Sequence, residues 1–406
     1  MLGLADVAKI LDDIRDEGIS AVLRYTELFD GVSLTEEELV TNPLKLPPPV
    51  IDSELKEAID FAVGQVRRFH RAVRPENQVL QGDQGMTLSE RWIPLSRVGL
   101  YVPNGRYPLV SSLIMTAVPA IEAGVGRIVV ALPPRARAAL DAPWLYVLQT
   151  LGISELLSLG GAQAIGALAY GIEGLESVDF IAGPGNRFVT EAKMEVQRRG
   201  LVGVDGYAGP SEVMIIANQR NWADIVWADL SAQAEHDPLA RGELVTHNPE
   251  LAAEIRARAE NLPDNMGAIT VREVSSLDEA ITWANQRAPE HLGLMGDDVV
   301  VRANDVLTAG ALFLGPMAGQ ALGDYVAGPS HVLPTGGRGR FQSGLTTRSF
   351  CRRMSVIQAD WGISAKVLEM GRRLAALEGL SQHERSMALR LQERRDNNGT
   401  EGSNRA

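Results

Sequence analysis

The chain has 406 residues, of which 45% are hydrophobic and 22% charged, which gives it the composition of a globular protein and the length for two or three domains. Its formal net charge is −12 and its pI is about 5.1. Since no basic block offsets this charge, the composition argues against nucleic acid and anionic membranes as partners and favours an enzyme that acts on small molecules.

Cysteine usage and the amino-terminal residues favour the cytoplasm. The single cysteine, Cys351, excludes an intrachain disulfide and a zinc site built from cysteine pairs, and it is typical of a reducing compartment. Any metal therefore depends mainly on nitrogen and oxygen ligands. The first residues place acids among apolar positions, unlike a signal peptide, and no stretch is apolar enough to predict a membrane span. We expect a cytoplasmic protein.

The first part of the chain predicts helices that carry no chemistry. Apolar residues at helical spacing predict two helices between about Leu4 and Asp30, separated at Gly18. A proline-rich connector follows at residues 44–49. A longer helix is expected over residues 52–71.

Short apolar runs alternate with helical stretches between residues 91 and 217. The predicted strands are residues 92–93, 98–102, 127–132, 155–159, 178–182 and 212–217. A helix over residues 111–123, kinked at Pro119, is expected to end at Gly124. The alternation indicates an α/β fold with a mostly parallel sheet and right-handed crossovers, whose ligands usually bind at the carboxyl ends of the strands.

The alternation continues beyond residue 238 and gives way to helices near the carboxyl terminus. Alternating strands and helices are predicted over residues 243–246, 249–261, 268–272, 276–289 and 301–314. From residue 363 to 391 the apolar periodicity is helical. The polar tail from Asp396 is expected to be disordered.

The segment Ala232–Pro238, AQAEHDP, concentrates groups that can bind a metal or transfer a proton. It follows a predicted helix over residues 221–230, and its proline is a usual stop signal. Gln233 and His236 are three residues apart, so on a helix they share one face and can converge on one ion. The alternative is a polar helix end that His236 caps. Taken alone, the segment leaves both interpretations open.

Four of the six histidines lie in polar segments punctuated by glycine or proline, namely His236, His291, His331 and His383. The other two, His70 and His247, lack such surroundings, and we interpret them as surface residues. Glu378 and His383 are five residues apart on a predicted helical segment, a spacing that is more typical of a solvated face than of a site.

Two acidic residues stand close to these histidines in sequence. Glu290 precedes His291 at a helix-to-strand junction, where an imidazole can carry a proton and a carboxylate can orient water. Asp324 lies seven residues before His331, and one of the two can join the AQAEHDP segment in a nitrogen and oxygen metal site. The alternatives are an EH pair on a surface turn, and an Asp and a His that stabilise turns.

Glycine-rich turns follow two predicted strands without forming a dinucleotide-binding fingerprint. No GxGxxG follows any predicted strand, so motifs alone give weak support for a nicotinamide cofactor. Gly160–Gly161 and Gly183–Asn186 can still bring a phosphate close to main-chain N–H groups at a helix start. Tight strand-to-helix turns without a ligand explain these glycines equally well.

Eight dispersed segments resemble the histidinol dehydrogenase family. They extend over nearly the whole chain, from about Ile14 to Arg390, and read YVPNGRYP, GGAQAIGALAYG, GPGNRFVTEAK, GPSEVMIIA, AQAEHDP, APEHL, GDYVAGPSHVLPTGG and EGLSQH. The resemblance implies a zinc-dependent enzyme that oxidises L-histidinol through the aldehyde to L-histidine. It implies the reduction of two NAD in succession, as the last step of histidine biosynthesis.

The resemblance also implies a fold and an assembly. It implies an α/β protein with two incomplete Rossmann-like parallel-sheet domains, which accounts for the missing glycine fingerprint, and a small helical carboxyl-terminal segment. The larger domain would comprise residues 1–100 and 213–345, the second domain residues 101–212, and the helical segment residues 346–406. The family is a homodimer in which this segment reaches into the neighbouring subunit's site.

The resemblance assigns roles residue by residue. Zinc would be held by Gln233, His236, Asp324 and His383. NAD would contact Tyr101, Gln163 and Asn186. Substrate would be bound by Ser211, His291 and Glu378 together with the zinc ligands Gln233, His236, Asp324 and His383. Proton transfer would fall to His291, as base for the hydroxyl proton, and to Glu290, which activates the water that hydrates the aldehyde.

Several positions depart from the family's usual pattern. Asn104 replaces a glycine, Gly293 stands where an acid often follows PEHL, Ser330 replaces an asparagine, and residues 316–320 differ from the common acidic or hydroxyl-bearing version. They leave open a paralogous NAD-dependent dehydrogenase of another amino alcohol or diol, although the matching EGLSQH segment favours histidinol. A zinc hydrolase that needs no NAD is the third possibility.

Overall fold

A computed structural model describes residues 5–82, 84–103, 109–134, 142–207 and 209–403. The chain divides into two compact units, of which the first comprises Met1–Arg74 and Pro94–Phe350 and the second comprises Pro75–Ile93 and Cys351–Ala406. Both parallel sheets lie in the first unit, so the domain boundaries expected near residues 100, 212 and 345 stay a prediction. Asn104 lies outside the described residues.

Helices and strands alternate over most of the described chain. The strands are β1 (Val40–Thr41), β2 (Gln78–Gln81), β3 (Met86–Pro94), β4 (Arg97–Tyr101), β5 (Arg127–Ala131), β6 (Glu155–Leu157), β7 (Phe180–Ala182), β8 (Gly203–Val204), β9 (Glu212–Ala217), β10 (Arg241–Thr246), β11 (Ala268–Glu273), β12 (His291–Met295), β13 (Ala311–Leu314) and β14 (Cys351–Ala359). The α-helices are α1 (Ala5–Glu17), α2 (Ile19–Asp30), α3 (Glu36–Leu39), α4 (Ser53–Ala72), α5 (Val110–Ala123), α6 (Ala142–Thr150), α7 (Gly161–Tyr170), α8 (Arg187–Arg198), α9 (Ala223–Ala234), α10 (Pro249–Ala259), α11 (Leu277–Arg287), α12 (Asp297–Val300), α13 (Gln320–Tyr325), α14 (Ala365–Leu377) and α15 (Ser381–Ser403).

The first sheet has the strand order β1-β6-β5-β4-β7-β8. Its neighbouring strands are parallel except for β1, which pairs antiparallel with β6 at the edge. Helix α1 packs on α7, because Gly166 has no side chain: a Cβ there would lie 2.7 Å from Ile14 Cδ1. Leu11 and Ile14 are therefore buried together with Leu168 in one apolar core.

The second sheet is parallel throughout, with the order β11-β10-β9-β12-β13. Its central strand β9 is buried on both faces, since Val213 and Ile215 enter one apolar cluster and Met214 and Ile216 another. Burial of both faces is the reason that this strand is a continuous apolar run in the sequence. The two parallel sheets with their helices confirm the predicted α/β class.

Several predicted helix boundaries are confirmed. The first two helices separate at Gly18, whose φ is 59°, and α5 ends before Gly124, whose φ is 91°. Helix α4 begins after Asp52, whose carboxylate accepts the N–H groups of the first turn. The interpretation of His70 as a surface residue is wrong, because this side chain in α4 is 0% exposed.

The second unit combines a three-stranded sheet of order β14-β3-β2 with helices α14 and α15, which pack on each other. The sequence predicted only residues 92–93 of this sheet. Strand β14 escaped prediction because six of its nine residues are exposed, so apolar and polar residues do not alternate clearly. Helix α15 continues to Ser403, into the tail for which the sequence predicts disorder. No helix in the described residues is both long and apolar enough to span a membrane.

Candidate active site

The predicted site residues of the first unit lie at two sheet edges. Tyr101 ends β4, and the loops after β6 and β7 lead to Gln163 and Asn186, which places these three at the carboxyl edge of the first sheet. Ser211 precedes β9, and Glu290–His291 stand at the start of β12, at the amino edge of the second sheet. The predicted helix-to-strand junction of the proton-transfer candidates is therefore confirmed. A helix-to-strand connection in a parallel sheet necessarily reaches the amino edge.

Main-chain atoms of Glu212 hold both proton-transfer candidates. Its N–H donates to Glu290 Oε2 at 2.8 Å, and its carbonyl oxygen lies 3.2 Å from His291 Nδ1. Glu290 and His291 are only 6% and 4% exposed, and Oε2 of the former lies 3.6 Å from Nδ1 of the latter. A hydrogen bond from Nδ1 to the carbonyl leaves Nε2 to exchange a proton with a substrate.

The turn that delivers this pair is strained. Helix α11 ends at Ala288, and this residue is the one non-glycine among the described residues that has a positive φ, 47°. The left-handed conformation costs a residue with a Cβ roughly 1–2 kcal/mol. Ala288 is fully buried, and its N–H donates to the carbonyl of Ala284. Tertiary packing thus compensates a turn that sets the direction of Glu290 and His291.

Asp324 is surrounded by imidazoles. Its Oδ1 lies 3.7 Å from His291 Nε2 and 4.0 Å from His331 Nδ1. Burial raises the pKa of the Asp324 carboxyl, but His291, His331 and His236 outweigh this effect, and the pKa lies below its usual value. The structure thus brings Asp324 together with three of the histidines singled out in the sequence.

Burial and mutual charge set the proton affinities of the Glu290 and His291 pair. Removal from water raises the pKa of Glu290 to about 7, although His291 opposes the shift. Burial lowers the pKa of His291, but the carboxylates of Glu290 and Asp324 outweigh it and raise the pKa to about 9. The two carboxylates thus favour the protonated form of His291, and burial brings the pKa of Glu290 close to neutral pH.

Gln233 carries an amide oxygen suited to a metal. It lies in the last turn of α9 and is 1% exposed, and its Oε1 has no hydrogen-bond partner among the described residues. The helix ends at Ala234, so the prediction that His236 shares a helical face with Gln233 is wrong, although the His236 N–H still donates to the Gln233 carbonyl at 3.3 Å. The His236 imidazole and the Asp324 carboxylate are donor types that zinc uses, and the unpaired Gln233 oxygen would be an uncommon third ligand.

The fourth predicted ligand lies in the second unit. His383 is in the first turn of α15, and Glu378 is the residue after α14, and both side chains are exposed. Across the described residues, no group of three or more His, Cys, Asp and Glu side chains is arranged to hold a metal. Of the four predicted zinc ligands, the first unit therefore contains three, which are the His236 imidazole, the Asp324 carboxylate and the Gln233 amide.

Each NAD candidate also has a structural role. The Tyr101 hydroxyl accepts the N–H of Gly161 at 3.2 Å, and burial raises its pKa to about 12. Gln163 Nε2 donates to Asp30 at 3.0 Å, while its Oε1 is buried without a partner among the described residues. Asn186 is the N-cap of α8 and accepts two N–H groups of its first turn. These contacts fix the turns after β4, β6 and β7.

A buried ion pair that sequence reasoning did not single out shapes the turn after β7. Lys193 and Asp205 form the pair; Lys193 Nζ also donates to the Gly183 carbonyl at 3.0 Å, and Asp205 accepts the Gly183 N–H at 2.7 Å. Gly183 has a φ of 118°, and a Cβ there would lie 2.0 Å from the Tyr101 carbonyl oxygen. Lys193 belongs to the segment GPGNRFVTEAK. A lysine on a mostly apolar helix face could have indicated a buried ion pair in the sequence.

A cleft joins the two sheet edges. It is lined by Gly183 and Pro184 from the first sheet and by Ser211, Glu290 and His331 from the second, with a volume of about 70 Å³. His331 is held by contacts of Nδ1 with the Asp324 carbonyl at 3.1 Å and of Nε2 with Ser112 Oγ at 3.3 Å. The turn after β7, which leads to the NAD candidate Asn186, and the side chain of Glu290 therefore line the same space.

Two of the unusual positions are close in sequence to candidate site residues, Ser330 to His331 and Gly293 to His291. Ser330 is buried, and its hydroxyl donates to the Met115 carbonyl at 2.8 Å. Gly293 lines a small cavity with Asp229 and Phe313, and the Phe313 ring lies 5.8 Å from the His291 ring. Neither position removes a candidate ligand or proton carrier.

Comparisons with known proteins identify the family. The family model described as histidinol dehydrogenase matches residues 3–391. A curated relative from Nostoc sp., histidinol dehydrogenase 2, is 42% identical, covering 96% of this chain and 92% of the relative. Histidinol dehydrogenase from Geobacillus kaustophilus is 39% identical, covering 95% of this chain and 93% of the relative.

Solved structures share the architecture. The crystal structure of histidinol dehydrogenase from Elizabethkingia anophelis superposes with a TM-score of 0.89 at 29% identity, and it covers 97% of this chain and 93% of that one. An acetylating aldehyde dehydrogenase from Geobacillus thermoglucosidasius, at 13% identity and a TM-score of 0.51, is similar in fold alone. The resemblance stated from eight sequence segments is confirmed: the chain belongs to the histidinol dehydrogenase family of oxidoreductases.

Proposed function

We propose that this protein is a zinc-dependent histidinol dehydrogenase that oxidises L-histidinol through L-histidinal to L-histidine and reduces two NAD. The observation that carries the proposal is the arrangement of His291, held by the Glu212 carbonyl on Nδ1 and facing Asp324 Oδ1 at 3.7 Å on Nε2. Oxidation of an alcohol on a substrate that a metal holds in place requires a proton carrier beside the metal ligands.

The protein's own residues account for the proton movements. In the first oxidation His291 Nε2 takes the hydroxyl proton while a hydride leaves the carbon. In the second, Glu290 takes a proton from the water that adds to the aldehyde, and the protonated His291 returns its proton to the aldehyde oxygen, which gives the diol. His291 then takes a proton of this diol while the second hydride leaves the carbon. When bound, NAD would accept the hydride in each oxidation and zinc would hold the substrate. The first oxidation thus yields one NADH and one proton, and the second, whose product ionises to a carboxylate, yields one NADH and two protons.

We assign the zinc ligands Gln233, His236 and Asp324 to one subunit and His383 to its neighbour in a homodimer. The unpaired Gln233 Oε1 supports the first assignment, since a buried acceptor without a donor is otherwise destabilising. The exposure of Glu378 and His383 in the single chain is compatible with their use in a second subunit. In this proposal Glu378 and Ser211 complete substrate binding.

We assign NAD contacts to Tyr101, Gln163 and Asn186, which lie at the turns described above. The unpaired Oε1 of Gln163 supports this assignment, since it is a buried acceptor without a donor. The protein is proposed to act in the cytoplasm, as expected for a chain whose single cysteine is Cys351. L-histidinol is the proposed partner; nucleic acid and membrane are not.

Absorbance of NADH tests the reaction. Purified zinc-loaded protein mixed with NAD and a limiting amount of L-histidinol is expected to form two NADH per histidinol consumed, and chelation of zinc is expected to stop the reaction. One NADH per histidinol with release of the aldehyde would contradict the two-step assignment. Hydrolytic activity without NAD would favour a zinc hydrolase instead.

The second candidate function is a paralogous dehydrogenase of another amino alcohol or diol. The glycine at position 293 favours it. A Cβ at this position would make only ordinary contacts, the nearest being Ile215 at 3.5 Å, so the absence of a side chain leaves space near Phe313 and His291. A panel of amino alcohols compared by kcat/KM distinguishes the two. A higher value for a compound without an imidazole would replace histidinol as the substrate.

A further inference from the structure

A cavity of about 390 Å³ lies beside the catalytic candidates but outside the cleft that they line. It is formed by the amino ends of β9, β10 and β11, by α11, and by Pro289. Its volume falls in the range of small-molecule sites. None of the residues assigned above to zinc, NAD or substrate lines it, so the proposed reaction leaves it without a role.

Two guanidinium groups in the cavity wall keep unused hydrogen-bond donors, although the charge of Arg287 interacts with the Glu243 carboxylate and its guanidinium lies 5.9 Å from the Trp283 ring centroid. Within the described ranges, the side chains of Arg241 and Arg287 make no hydrogen bond or ion pair. By contrast, Arg220, Arg256 and Arg258 are each paired with a carboxylate. Since a planar guanidinium matches a carboxylate through two parallel hydrogen bonds, two guanidinium groups that face a cavity without hydrogen-bond partners favour a carboxylate ligand.

Two carboxylates face the same cavity. Glu243 accepts the indole N–H of Trp283 at 3.1 Å, and Glu212 accepts the N–H of Gly336 through one oxygen at 2.9 Å. The Arg272 guanidinium lies 3.5 Å from the centroid of the Trp283 ring, which holds that aromatic wall in place. The wall thus carries both signs of charge, so a ligand with one negative and one positive group matches it better than a simple anion.

Glu212 connects this cavity to the catalytic candidates. Its side chain lines the cavity, while its N–H and carbonyl hold Glu290 and His291. Pro289, also in the wall, is the residue before Glu290. A ligand that contacts the Glu212 carboxylate therefore acts on the main chain that orients both proton carriers.

We propose that this cavity is a second binding site, which takes a zwitterionic α-amino acid. Arg241 and Arg287 bind its carboxylate, and its ammonium group faces Glu212 and Glu243. Occupancy alters catalysis through Glu212. The choice of L-histidine as the probe rests on the proposed function, in which an amino acid of this class is the product.

Calorimetric titration of the zinc-loaded protein tests the site. L-Histidine is compared with histamine, which keeps the imidazole and the amine but lacks the carboxylate. We expect two equivalents of L-histidine per chain and one of histamine. The double variant Arg241→Leu, Arg287→Leu should bind one equivalent of L-histidine, whereas the control Arg256→Leu, at an exposed arginine paired with Glu273, should bind two. The same number of equivalents in wild type and double variant overturns the proposal.

The test separates this site from the proposed reaction. An equivalent that disappears on chelation of zinc belongs to the active site, and an equivalent that disappears only in the double variant belongs to the cavity. For the coupling, we expect saturating L-histidine to lower kcat about fivefold or more in wild type. This decrease should vanish in the double variant, whose activity without L-histidine is unchanged. Purely competitive inhibition of equal strength in both proteins would overturn the coupling through Glu212.

Discussion

At the scale of the residue, His291 is placed between two carboxylates. Glu290 Oε2 lies 3.6 Å from its Nδ1 and Asp324 Oδ1 lies 3.7 Å from its Nε2. The sequence predicted the neighbouring Glu290, because it is adjacent in the chain. It could not predict the Asp324 contact from spacing, because 33 residues separate the two and only the folded loop brings them together.

The variant His291→Asn tests the role of this imidazole. The amide can still donate to the Glu212 carbonyl but cannot take a proton, so kcat should fall by about 10²–10⁴-fold or more. Zinc content, measured by atomic absorption, should stay near that of wild type, since His291 is not a proposed ligand. The exposed His247→Asn is the matched control and should keep full activity. Loss of zinc with retained turnover would contradict the assignment.

His70 provides a residue-scale prediction for stability. Burial lowers its pKa from 6.5 to about 4, and neither ring nitrogen has a hydrogen-bond partner among the described residues. The unfolded chain therefore binds a proton that the folded protein does not, and stability is lost as the pH falls from about 6.5 to about 4. The full loss is on the order of 3 kcal/mol.

The variant His70→Phe removes this titration. It should show a smaller decrease in unfolding free energy between pH 7 and pH 4.5 than wild type, as measured by urea denaturation. His247→Phe, at an exposed histidine, should keep the wild-type slope. An unchanged slope in His70→Phe would mean that His70 is protonated in the folded protein.

At the scale of the element, the sequence predicted helix ends and strands correctly where residues within the element itself determine them. Gly18 and Gly124 end helices because their positive φ suits glycine, and the strand runs of the parallel sheets were evident because both faces are buried. Strand β1 was missed because it is two residues long and depends on pairing with β6. The end of α9 at Ala234 was missed because Glu235 and His236 remain compatible with helix in sequence.

Variants of Asn186 separate its role as a helix N-cap from its proposed contact with NAD. Asn186→Ala should lower the unfolding free energy by about 1 kcal/mol through loss of the N-cap of α8, and it should raise the KM for NAD. Asn248→Ala removes the same kind of cap from α10 and should cost similar stability without changing that KM. Asn186→Asp should restore the cap. If the KM for NAD rises in every variant that loses stability and in no other, a direct contact between Asn186 and NAD would be contradicted.

At the scale of the whole molecule, the candidate site cannot be completed by local reasoning. Gln233, His236 and Asp324 belong to the first unit, whereas Glu378 and His383 belong to the second. The family resemblance predicted all of these site residues. The spacing and composition of the sequence alone left each of them open to a purely structural role. Only a resemblance that covers almost the entire chain could join residues from two units into one hypothesis.

Mixed dimers test the shared site. His383→Ala alone should lower zinc content, and Glu290→Gln alone should lack activity. In a random mixture half of the dimers are mixed, and one of their two sites is free of substitutions if subunits exchange these residues, so about a quarter of wild-type activity should return. The readout is NADH formation after co-refolding at equal concentrations. No recovery, with mixed dimers demonstrated by mass spectrometry, would exclude sharing.

The opposite edge of the second sheet is closed by its own side chains. The side chain of Asn218, just after β9, accepts the N–H of His247 at 3.1 Å and donates to Asp298 at 3.3 Å. Its main-chain carbonyl accepts a hydrogen bond from the side chain of Asn248 at 2.8 Å. Because Glu290 and His291 lie at the amino edge, this face carries none of the reacting groups. It is therefore where a fluorescent label or a tethering tag can be attached for single-molecule work without disturbing turnover.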